Sequence, residues 1–148
     1  MPATKPLQSF PDNSEPDFAL ADIFFDNAIG HLQRAKRTAD RDQQNAALHA
    51  IAIAIELLLK SHLLRTATDD DWNRINIGHD LDKAATYVTI AGLELPPHLQ
   101  RVIAALHPHF MRGGFQRDPT RSWPTGLAKD ACEVVRELAR SINEQKVR

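Results

Sequence analysis

The stretch AALHAIAIAIELLLKSHLL, Ala46 to Leu64, constrains this chain more than any other, because a helix built from it is apolar on more than one side. Leu48, Ile51, Ile55 and Leu58 recur at spacings of three and four, and Ala50, Ile53, Leu57 and Leu64 lie beside them. Such a helix, expected over about residues 40–65, needs neighbours on several faces and belongs in the centre of a bundle. Its longest apolar run, Ala52 to Leu59, is too short to span a bilayer and is followed at once by Lys60 and His62, so a soluble protein without membrane contact is expected. Glu56 and Lys60 stand four apart with the acid first, the favourable order, and read as a solvated pair on that helix.

The neighbours are readable from the same periodicity. From Asp17, residues Leu20, Phe24, Ala28, Leu32 and Ala35 form one stripe that ends near RTADRDQQN. After a polar stretch, TATDDDWNRINIG, a short helix is expected from about Asp80 to Ala91. Pro96 and Pro97 open another, with Leu99, Val102, Ile103 and Leu106 inward and Pro108 close to its end. The last has the cleanest pattern, Leu127, Ala131, Val134, Leu138 and Ile142, with charged residues mostly on the other faces. No alternating strand pattern of useful length occurs. The expected fold is all-α, an antiparallel bundle of four main helices plus a short one over residues 17–148.

Residues 1–16 hold four prolines and little apolar surface, and are expected to be a flexible tail; nothing in them resembles a signal peptide. The 148 residues, 43% hydrophobic, suit one compact domain. With 18 Lys and Arg against 19 Asp and Glu, the chain offers no broad attraction to a polyanion, and nucleic-acid binding would need a local patch. The single cysteine, Cys132, excludes an internal disulfide and a multi-cysteine zinc site, which points to a reducing, cytoplasmic setting. It follows the inward Ala131 and reads as a small half-buried residue, not a nucleophile.

The chemistry-bearing segment is NIGHDLDKAA, Asn76 to Ala85. Asp80 stands where a helix N-cap is expected and Gly78 supplies the turn. A His-Asp dyad also suits a cation, but the remaining ligands such a site needs, His49 or His62 with Asp118 or Asp130, lack distinctive surroundings, and no metal or cofactor is expected. The order of motifs adds a third reading. AIAIELLLKSHLL, then GHDLDKAA, then HPHFMRGGFQRDP and a long amphipathic helix together resemble the HEPN superfamily (higher eukaryotes and prokaryotes nucleotide-binding) over about residues 17–145. The matching positions are Glu56 and Lys60, His79-Asp80-Leu81, and Arg117-Asp118-Pro119, where Asp118 replaces the family's tyrosine.

The resemblance implies a homodimer that binds nucleotide or RNA, with a nucleotidyltransferase-type protein as a further partner. It also raises an enzymatic alternative, since many relatives are metal-independent ribonucleases of toxin or defence type marked by an arginine and a histidine with four to six residues between them. Arg101 and His107 have that spacing: an arginine can stabilise a charged phosphorane-like transition state and a histidine can move the 2'-hydroxyl proton. In an unbroken helix positions six apart point roughly 120° from each other, which argues against convergence on one phosphate. A structural dimerisation module without ligand is the remaining alternative. The expected ligand site combines His79 and Asp80 with Arg112, Arg117 and Arg121, where Gly113 and Gly114 permit close approach and Phe115 and Trp123 are candidates to stack on a base. The histidines His98, His107 and His109 lack a nearby carboxylate or thiol at ligand spacing, so they are not expected to hold a metal.

Overall fold

The computed structural model describes residues 7–40, 43–111, 115 and 122–146, and among them every regular element is a helix. In chain order these are α1 (Phe18–Ala39), α2 (Gln44–Thr66), α3 (Asp70–Asn76), α4 (Leu81–Ile90), α5 (Leu99–Met111) and α6 (Leu127–Lys146). The expectation of an all-α bundle is met.

Helix α2 is the axis of the bundle. Its apolar side chains Leu48, Ile51, Ile55, Leu58, Leu59, Leu63 and Leu64 are completely buried, enclosed by α1, α4, α5 and α6. Burying one such side chain is worth about 1.5–3 kcal/mol, so this helix supplies a large share of the driving force for folding. By length and composition α2 is apolar enough to cross a membrane, yet 83% of its most apolar window is buried among the other helices.

The ends of the helices fix the topology. The Asp17 amide donates to the Leu64 carbonyl at 2.9 Å and Ser61 Oγ donates to the Ala21 carbonyl at 3.0 Å, so the start of α1 lies against the end of α2 and the two run antiparallel. At its C-terminus α6 reaches the same end of α1, where Lys146 Nζ is 3.2 Å from Asp22 and 4.0 Å from the centre of the Phe25 ring. The short α4 and the longer α5 close the remaining side of α2.

Three local details depart from expectation. The polar stretch after α2 contains a helix, α3, because Asp69 accepts the Trp72 amide at 2.8 Å and caps its first turn. Helix α5 runs past Pro108 to Met111 instead of ending there. In α6 the inward stripe is rotated toward Ala128, Cys132, Val135 and Ala139, leaving Val134 half-buried and Cys132 buried.

Part of the segment expected to be a tail lies on the bundle. Phe10 packs its ring against Trp72 and Tyr87, with centroids 5.6 Å and 5.9 Å away, and the Gln8 amide donates to the Tyr87 hydroxyl at 2.8 Å. One large aromatic is enough to anchor an otherwise polar segment.

Candidate functional site

The site begins with the way α3 stops. Ile77 and Gly78 both donate their amides to the Asn73 carbonyl, at 2.9 Å and 3.0 Å, and Gly78 takes a left-handed φ of 57°, the helix-ending geometry glycine favours. The chain then turns through His79 into Asp80, whose Oδ1 accepts the Lys83 amide at 3.0 Å as the N-cap of α4. The capping reading of Asp80 is therefore correct.

Helix α2 grips this turn from beneath with two charged side chains. Lys60 Nζ donates to the Gly78 carbonyl at 2.7 Å, and Glu56 Oε1 lies 2.6 Å from Nδ1 of His79, while Glu56 and Lys60 themselves are 3.6 Å apart. Their side chains are only 11% exposed, against 72% for His79. The expectation of a solvated Glu56-Lys60 pair is thus overturned. On the core helix both groups are largely shielded from water, and burial is tolerated because each has a second polar partner on the turn.

Opposite the turn, α5 contributes His107 and Phe110. His107 Nε2 stands 3.8 Å from Asp80 Oδ1 and 3.7 Å from Asp82 Oδ2, and the Phe110 ring meets the His79 ring nearly edge-on at 5.6 Å. Arg101 takes no part in this cluster. Its guanidinium lies 3.2 Å from Nδ1 of His98, one turn away on the same exposed face, so Arg101 and His107 have different partners.

Phe115 does not fit its expected role as a base-stacking surface. It is 1% exposed, packed among His49, His109 and Trp123, and so belongs to the core. Trp123 is half-buried and donates its indole N–H to Asn45. The arginines Arg112, Arg117 and Arg121, with Gly113, Gly114, Asp118 and Pro119, lie outside the described residues.

Other titratable groups are structural. Burial pushes the His62 imidazole below its usual range, opposed by a hydrogen bond to the Ala91 backbone and reinforced by Arg65. His31 is lowered as well, by burial and then by Arg34 and His49. Burial pushes the Cys132 thiol up, which suits an inert packing residue. His62 and His49 are far from the role of metal ligands: His62 is enclosed beside Ala91 and His49 packs on Phe110 and Phe115.

Sequence reasoning missed Asp82 and Phe110. Asp82 carries a readable signal, since it follows Asp80 by two residues at the start of a helix; Phe110 had none beyond its place in HPHF. A comparison with protein-family models, curated proteins and solved structures finds no match for this chain.

Proposed function

We propose that this chain is a HEPN-like helical module that binds the phosphate of a nucleotide or of RNA at the His79-Asp80 turn. The observation that carries the reading is the nearly buried Glu56 carboxylate holding Nδ1 of a largely exposed imidazole at 2.6 Å. A ring anchored at Nδ1 has lost most of its rotational freedom, and when it carries both protons its Nε2–H is the donor available to an anionic oxygen. Ordering cost is removed in advance of binding, which is what distinguishes a site from a surface histidine.

Support also comes from the order of the motifs. Glu56 and Lys60 on one helix and Gly78-His79-Asp80 on a separate turn form one network, in the sequence order that the HEPN resemblance implies. A homodimer, and a nucleotidyltransferase-type partner, belong to the same proposal. The ribonuclease alternative through Arg101 and His107 receives no such support, because those side chains have separate partners.

The test is equilibrium binding of ATP and of a labelled mixed-sequence RNA to the full chain at physiological salt, where electrostatic affinities are meaningful. Saturable binding that weakens about tenfold or more in His79→Ala is the expected result. Absence of saturable binding, or equal affinity in His79→Ala, would overturn the reading. Cleavage of the RNA by the wild type, lost in an Arg101→Ala, His107→Ala double variant, would instead establish the enzyme.

A further inference from the structure

The cluster opposite the turn is arranged as a cation site. Asp80, Asp82 and His107 each offer a donor atom, and the three atoms lie within 4.8 Å of one another. The donors come from two helices, α4 and α5, brought together by packing against α2 and not by proximity in sequence.

The distances decide between two readings of this group. At 3.7 Å and 3.8 Å the imidazole nitrogen is too far from either carboxylate for a hydrogen bond. Donors that each stand about 2.1 Å from a shared ion are about 3–3.5 Å from one another, so the imidazole lies within a few tenths of an ångström of that spacing from each carboxylate, and rotation of the exposed Asp82 side chain would close what remains of the 4.8 Å limit. The Asp80 oxygen that faces His107, Oδ1, also accepts the Lys83 amide, and a carboxylate oxygen has a second lone pair for an ion. Nδ1 of His107 is buried with no hydrogen-bond partner, a cost that an imidazolium and a metal-bound imidazole share, so it favours neither.

Charge argues the same way. Asp80 and Asp82 face His107 from the start of α4, and the buried Lys60 ammonium is already engaged by Gly78 and Glu56. Two carboxylates held together without a fixed positive partner are stabilised by a divalent ion. One imidazole with two carboxylates is a mixed nitrogen and oxygen set, which selects a borderline ion such as zinc or cobalt over calcium.

We infer that Asp80, Asp82 and His107 form a binding site for one divalent transition-metal ion per chain. The inference is independent of the phosphate reading, because it concerns the metal alone. Open coordination positions would then face solvent beside His79.

The experiment is calorimetric titration of the tag-free full chain with Zn2+, alongside Co2+ titration followed by visible absorption, which reports coordination directly. One site per chain is expected, with affinity lowered about tenfold or more in Asp82→Ala and in His107→Gln. His98→Gln, in the exposed turn before α5 and paired with Arg101, should bind as the wild type does. Circular dichroism checks folding; should His107→Gln fail to fold, the exposed Asp82→Ala decides by itself. No binding by the wild type, or undiminished binding by Asp82→Ala, would overturn the site.

Discussion

At the scale of single residues, the least ordinary feature is a Lys-Glu pair on the innermost helix. Lys60 satisfies the Gly78 carbonyl and stands beside Glu56, and Glu56 in turn fixes His79. Replacing Lys60 by methionine keeps the aliphatic stem but leaves a buried carboxylate and a carbonyl with one partner fewer. The expected cost is about 1.5–3 kcal/mol, the range for hydrogen bonds to charged groups, read as a lower urea midpoint with an unchanged denaturant slope. A midpoint within error of the wild type would mean water reaches the pair and screens it. The pair also shows where sequence reading fell short. Spacing alone describes an exposed ion pair as well as a buried one; the enclosing apolar positions, from Leu48 to Leu64, held the information that any charge among them is buried. Gly78 and Asp80 were readable because a turn glycine and a capping aspartate act locally.

At the scale of elements, what could be read depended on whether packing or capping makes the helix. The stripes of α1, α2 and α5 follow from period, since Ala28, Leu32 and Ala35, or Leu99, Val102, Ile103 and Leu106, repeat at three and four. Helix α3 has seven residues and buries only Asn73 completely, so no stripe announces it. Its existence rests on ends: Asp69 at the start, Gly78 beyond the finish, and a buried hydrogen bond of 2.7 Å from Thr68 to Asn73 that ties it to the connection leaving α2. A helix this short is marginal without such ties. Asp69→Ala is therefore expected to lower stability by about 0.5–2 kcal/mol, with Asp69→Asn retaining most of it. Urea unfolding followed by tryptophan fluorescence measures this, since Trp72 lies in the capped turn and packs on Phe10 and Tyr87. Equal stability of the alanine and asparagine variants would show that tertiary contacts, not the cap, hold α3. The pairing of α4 with α5, which brings Asp82 to His107, depends on contacts between distant segments and is beyond what local pattern can tell.

At the scale of the whole molecule, enclosing α2 buries histidines along with leucines, and this couples the fold to pH. His62 is 3% exposed, its Nε2 has no hydrogen-bond partner, and its folded-state pKa is pushed below 6.5, first by burial. His31 is shifted the same way, with burial again the main cause. In the unfolded chain both imidazoles take a proton near the ordinary value of about 6.5. Above that value neither state is protonated and the shift has no effect on stability. As pH falls below it, the unfolded chain binds protons that the folded one refuses, so unfolding becomes easier until the lowered folded values are reached. The expected outcome is a urea midpoint that is flat at about pH 7–8 and declines through about pH 6.5 to 5.5, before most carboxylates begin to titrate. His62→Gln removes one of the two groups and should shallow that decline while leaving the residue due to His31. A slope unchanged in His62→Gln, or a slope of opposite sign, would assign the pH dependence to other groups.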